Sequence, residues 1–187
     1  MQPAELLRIL AVAEKLKCGT RHCYTSSGRQ ESVAEHSWRI ALMAMLIAPE
    51  FLEADMDRVI RMCLIHDLGE AFTGDIPAFD KTDADAARED AAFEDWVRTL
   101  PRETAEEFTG LLSEMNALQT LEAKIYKALD KLEAVIQHNE SDISTWLPLE
   151  YDLQLRYGAE NVKFSPWFQA LKAEIDNWTR QKIENAR

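Results

Sequence analysis

Apolar residues recur at three- and four-residue spacing along nearly the whole chain, and alternating runs of β-branched residues are absent. That period stacks side chains along one face of an α-helix, whereas a half-buried strand needs a period of two. The expected fold class is therefore all-α, a helical bundle of about eight helices. No repeat, linker or low-complexity tract divides the 187 residues, so one domain over 1–187 is expected. A single core of this size buries roughly 70% of the extended-chain surface, enough for an enclosed site.

Start and stop residues sharpen the helices. Pro3 opens one that carries Leu6, Leu7, Leu10 and Leu16 to a stop at Gly19. Thr20 to Glu31 contains Ser26-Ser27-Gly28 and little periodicity, so it reads as a loop. Ser32 with Glu35 forms a capping box for a helix reaching about Ala48, before Pro49. The next begins near Asp55 or Met56 and carries Val59, Ile60 and Cys63 toward His66. Gly69 and Gly74 then break the pattern, and Ile76-Pro77-Ala78 is a connector. Further helices are expected over Thr82–Leu100, Glu103–Leu118 and Thr120 to about His138, the last burying Leu121, Ile125, Leu129, Leu132 and Ile136. A helix over Leu147–Tyr157 stops at Gly158, and a final one is capped by Ser165 with Pro166 at its first position.

Charge and cysteine usage narrow the function. Asp plus Glu number 33 against 21 Lys plus Arg, a formal charge of -12. That excludes a nonspecific coat on a nucleic-acid polymer or an anionic membrane, both of which need clustered cations. An anionic small molecule stays compatible, because a bound metal reverses the field locally. Cys18 and Cys23 bracket His22, but no second pair completes a zinc knuckle, and Cys63 reads as core filler. The apolar run Leu42–Ala48 is too short to span a bilayer and no leader pattern opens the chain, so a soluble cytoplasmic protein is expected.

The informative residues are polar groups set into apolar stripes. His36 sits in the stripe Val33–Ile40–Ala44–Ile47 and should point inward. His66 follows Val59 and Cys63 and is itself followed by Asp67; Glu70 is four residues after His66, on its face, and Asp75 lies just past Gly74. Asp130 lies between Tyr126 and Ala134, expected to turn away from Lys124, Lys127 and Lys131. A carboxylate there needs a partner or a metal to offset desolvation. Two imidazoles and two carboxylates from three helices suit a divalent first-row ion, the alternative being an ionised network without metal.

In order, Glu31-Ser32-Val33-Ala34-Glu35-His36-Ser37, His66-Asp67-Leu68-Gly69-Glu70, Gly74-Asp75 and Leu129-Asp130-Lys131 resemble the motifs of HD-domain metal-dependent phosphohydrolases, nearest the 5'-deoxynucleotidase branch. The resemblance spans roughly Leu7 to His138, with a metal-site core of approximately 30–138. It implies one divalent ion (Co, Mn, Zn or Mg) held by His36, His66, Asp67 and Asp130, and acid–base work by Glu70 and Asp75. Arg21 matches the arginine that contacts the substrate phosphate. The branch usually has a tryptophan next to it that helps exclude ribose; here His22 stands there, so weaker sugar discrimination is expected. A homodimer, built on apolar faces of the last helices, is also expected.

The chemistry agrees with that resemblance. A phosphomonoester needs an activated water, a ligand for its non-bridging oxygens and relief of charge in flight. The expected substrate is a nucleoside 5'-monophosphate, deoxyribo and possibly ribo. Alternatives are an HD-type hydrolase of cyclic, triphosphate or polyphosphorylated nucleotides, or a noncatalytic metal-bound module. Four histidines are too few for a histidine-rich multi-metal site. Arg39 reads as a rim or surface residue, Lys81 as solvated and His138 as structural, Lys131 could pair with an acid, and Trp38, Phe72 and Phe79 read as packing residues.

Overall fold

The computed structural model describes residues 1–186. Its elements in chain order are α1 (Pro3–Ala13), α2 (Lys15–Cys18), β1 (Thr20–Tyr24), β2 (Gln30–Ser32), α3 (Val33–Ile47), α4 (Met56–Ile65), α5 (Glu70–Thr73), α6 (Asp83–Val97), α7 (Arg102–Ala117), α8 (Leu121–Glu140), α9 (Glu150–Arg156) and α10 (Pro166–Asn185). Single 3-10 turns follow α3 and α8. The architecture is the expected helical bundle. Helices α3, α4 and α8 pack on one another, and Ile40, Ala44, Val59, Met62, Cys63, Ile125, Leu129 and Leu132 are fully enclosed among them. Burying such side chains contributes about 1.5–3 kcal/mol each.

Caps set the helix starts where side-chain chemistry requires them. The Ser32 hydroxyl accepts from the Glu35 backbone N–H, and Glu35 reaches back to the Ser32 N–H, closing the capping box of α3. Thr82 and Asp85 do the same for α6, while Asp55, Thr120 and Ser165 cap α4, α8 and α10. Helix α9 starts only at Glu150, three residues later than Leu147, because Leu147 precedes Pro148, which disfavours helical backbone there, and residues 148–149 form a turn.

Two expectations are corrected. Thr20 to Glu31 is not a plain loop: β1 and β2 pair antiparallel, with Thr20 opposite Ser32 and Tyr24 opposite Gln30. Four steps along β1 thus face two along β2, so Arg21, His22 and Cys23 bulge from the ladder. A short ribbon with a bulge leaves no period-two signal in the sequence. The first helix also breaks at Glu14, and its leucines do not reach the core; Leu6, Leu7 and Leu10 are exposed and only Leu16 is buried. Helical period identifies an apolar face, but not whether anything in the same chain covers it.

Candidate metal centre

Three helices bring the candidate ligands together. His36 lies one turn into α3, His66 caps the end of α4 with Asp67 next to it, and Asp130 sits midway along α8. His66 Nε2 is 3.0 Å from Asp67 Oδ2, and His36 Nε2 is 3.5 Å from Asp130 Oδ1 and 3.9 Å from Asp67 Oδ2. The two imidazole centroids are 5.3 Å apart. His36, His66 and Asp67 each place one donor atom within the span of a single ion.

Hydrogen bonds behind the rings aim them. His66 Nδ1 lies 2.9 Å from the Cys63 carbonyl, an acceptor, so this nitrogen donates and Nε2 carries the lone pair. His36 Nδ1 lies 2.5 Å from Glu133 Oε2, and both residues are enclosed. Both Nε2 atoms are buried without a hydrogen-bond partner. A buried orphaned nitrogen is costly unless something fills its lone pair. Two of them converging on carboxylates fit a divalent ion with nitrogen and oxygen ligands.

The charges support this donor set. Burial alone would raise the Asp67 pKa, but His66, His36 and Arg21 outweigh it and hold the carboxyl well below its usual range. Asp130 is likewise opposed by burial and held ionised by Lys127, Lys131 and His36. Asp130 is therefore not turned away from the lysines: Lys127 Nζ is 2.9 Å and Lys131 Nζ 3.4 Å from its Oδ2. Lys127 is three residues earlier on the same face, and flexible stems let both ammonium groups fold back while the opposite oxygen faces His36. His36 is opposed by burial and Arg21 yet raised to about 9 by Glu133 and Asp130, so an ion at Nε2 takes the place of a proton.

A cleft of about 910 Å³ opens onto this cluster and is also lined by Arg21, Glu70, Asp75 and Lys81. Gly74, at φ +76°, ends α5 in a conformation that a side chain would strain and turns Asp75 into the cleft. Burial, then the charges of Asp67, Asp75 and Glu89, pushes Glu70 up to about 10. Burial also raises Asp75, against the pull of Arg21. Lys81, expected in solvent, instead pairs with Glu89 at 2.6 Å in the cleft wall, because α6 packs against the turn carrying it.

Arg21 stands at a junction. It lines this cleft and a second cavity of about 460 Å³, which also share Asp75, Ala78 and Tyr157. His22, Phe79, His138 and Glu150 belong to the second cavity alone. His138 thus also forms part of this wall, and Phe79 packs edge-on to His22 at 5.3 Å. Trp38 and Phe72 lie at the surface. Arg39 reaches the back of the site, pairing with Glu140 at 2.7 Å and lying 3.7 Å from Glu133.

Sequence reasoning missed Glu133 and Glu150. Glu133 was open to discovery, since it is three residues after Asp130 and so on nearly the same helix face. Glu150 carried no such signal. Of the cysteines, Cys63 is core, Cys18 is exposed and Cys23 Sγ lies 3.2 Å from Glu31 Oε2.

Comparison with known proteins agrees with this geometry. The HD-domain family model matches residues 13–182. A human protein described as 5'-deoxynucleotidase HDDC2 is 34% identical over 139 residues, 72% of this chain and 67% of its own length. A Dictyostelium discoideum protein of the same description is 30% identical over 183 residues, covering 91% of this chain and 96% of its own. The crystal structure of a predicted metal-dependent phosphohydrolase from Magnetospirillum magnetotacticum MS-1 matches with a TM-score of 0.80 and 31% identity, over 96% of this chain and 93% of its own. Among the described residues no helix is long and apolar enough to cross a membrane. The chain belongs to the HD-domain family, has the fold of its metal-dependent phosphohydrolases and is related to the 5'-deoxynucleotidase HDDC2 proteins.

Proposed function

We propose that the protein hydrolyses nucleoside 5'-monophosphates to nucleoside and phosphate, with one divalent ion held by His36, His66, Asp67 and Asp130. The carrying observation is the convergence of two buried, unpartnered Nε2 atoms on two ionised carboxylates at a cleft lined by Arg21, Glu70 and Asp75. The relatives described as 5'-deoxynucleotidases support the substrate class. When bound, the ion supplies positive charge for a phosphate oxygen and lowers the pKa of water.

The chain's own groups do the rest. Arg21 offers a planar, permanently charged fork to the phosphate oxygens. Water adds to phosphorus as the bond to the 5'-oxygen breaks, and Glu70 and Asp75 take the water proton and protonate the departing oxygen. His22 beside Arg21 leaves room for a ribose as well as a deoxyribose. A free nucleotide rather than a nucleic-acid polymer as partner, a cytoplasmic location and a domain over 1–187 with its metal-site core at approximately 30–138 belong to the same reading. So does a homodimer. Exposed apolar side chains that support it include Leu6, Leu7 and Leu10 of α1, Trp38 of α3 and, toward the last helices, Leu147, Leu149 and Trp178.

Phosphate release from paired ribo- and deoxyribonucleoside monophosphates, with added Co, Mn, Zn or Mg and after chelation, tests the function. We expect metal-dependent release and a stoichiometry near one ion per chain, both lost in His66→Ala and Asp67→Ala. Activity surviving exhaustive chelation, or no release from any monophosphate with metal bound, would overturn it.

A further inference from the structure

The second cavity contains a polar cluster that phosphate chemistry leaves unused. Glu150 is 1% exposed at the start of α9, and its Oε2 accepts from the Leu147 backbone N–H at 2.7 Å. Its other oxygen, Oε1, lies 3.3 Å from His22 Nε2 and 3.4 Å from His138 Nε2. His22 Nε2 is buried and makes no hydrogen bond. Phe79 and Leu153 supply apolar wall beside these groups. The bulge in β1 matters here, since it lets the neighbours Arg21 and His22 both reach this cavity instead of pointing to opposite faces.

We propose that Glu150 Oε1 and His22 Nε2, with His138 bracing the carboxylate, form the subsite that reads the hydroxyls of a pentose. This rests on the reading of the protein as a nucleotide phosphohydrolase and names what selects its sugar. A phosphate held by Arg21, at the junction of the two cavities, directs the attached sugar from the metal cleft into the second. Oε1 is an acceptor with no competing backbone donor, whereas Oε2 is committed to Leu147. One sugar hydroxyl donates to Oε1, and the adjacent hydroxyl of a ribose meets His22 Nε2, which bonds as donor or acceptor by tautomer. A 2'-deoxyribose satisfies only one of the two. Polar groups left unpaired in an enclosed site produce discrimination that shape alone does not. The subsite therefore accepts ribose and favours its vicinal hydroxyls.

The test compares kcat/KM for AMP and dAMP, and the affinity of the metal-loaded protein for adenosine and 2'-deoxyadenosine by calorimetry. Glu150→Gln keeps the shape and the Leu147 contact but turns the Oε1 position into a donor. We expect the AMP-to-dAMP ratio to fall by about tenfold or more, with a matching loss in adenosine affinity relative to deoxyadenosine. His22→Phe keeps the packing against Phe79 without a ring nitrogen, lies outside the buried start of α9, and is expected to lower the ratio likewise. A ratio unchanged within about twofold in both variants, folded by circular dichroism, would overturn the proposal. Should the unmodified protein hydrolyse neither nucleotide yet bind adenosine over deoxyadenosine in a Glu150-dependent way, the sugar subsite stands and the phosphohydrolase reading fails.

Discussion

Replacing Glu133 tests how the candidate metal centre is held together, because this carboxylate touches a ligand ring and not the ligand space itself. Its Oε2 is 2.5 Å from His36 Nδ1, it is fully buried, and burial is outweighed by His36 and Arg21 in keeping it ionised. Glu133→Gln preserves volume and an acceptor oxygen. A charged hydrogen bond contributes about 1.5–3 kcal/mol and a neutral one about 0.5–1.5, so about 1 kcal/mol of stability is at stake. Relief of repulsion with Glu31, whose pKa is raised by burial and then by Glu133, offsets part of that. The metal should respond more, because a neutral partner leaves the imidazole less basic and less firmly oriented. Such partners change affinity about 10- to 100-fold, or about 1.4–2.7 kcal/mol. Glu133→Ala adds an unpartnered buried donor at Nδ1 and should lose a further 1–3 kcal/mol or so of stability. Competitive titration against a chromogenic chelator measures the affinity, and urea unfolding of the chelated proteins measures the fold. A folded Gln variant binding metal within about twofold of the unmodified protein would refute the ring-orienting role.

Glu70→Gln should retain metal and fold while kcat drops roughly 10²-fold or more, read by steady-state kinetics beside metal analysis; equal loss of metal would make Glu70 a ligand. Arg21→Ala should impair AMP and dAMP hydrolysis together, whereas His22→Trp should slow AMP selectively, which matched kcat/KM values decide. His138 supplies a pH effect on stability: burial depresses its pKa to about 4 from 6.5, so the unfolded chain binds the proton first. Its contribution is complete above pH 6.5 and is lost as pH falls toward 4, about 3 kcal/mol across that window. Urea melts at pH 7 and 4.5 should show a loss that shrinks in His138→Gln; an equal loss in both proteins would remove His138 as its source.

Much of the molecule is local, and local features could be read directly. The caps at Ser32 and Ser165, the stop at Gly158 and the inward faces of His36, His66 and Asp130 depend on neighbours within a turn or two, which helical period encodes. The ordered histidine and aspartate motifs carried the family and the choice of metal ligands. The hairpin did not show, because three-residue β2 is too short to display alternation and the bulge breaks what β1 has.

Tertiary structure decided the rest. Exposure of Leu6, Leu7 and Leu10 depends on which helices reach α1, not on their spacing within it. The lysines on Asp130 depend on flexible stems choosing among several acids. The His36–Glu133 contact joins residues 97 apart, and Glu150 gathers His138 from α8 and His22 from β1 into one wall. A sequence specifies which face of each helix is polar, but only the crossing of the packed helices selects which polar groups meet. Burial then turns those meetings into charge states and unpaired atoms, and so into the chemistry of the two cavities.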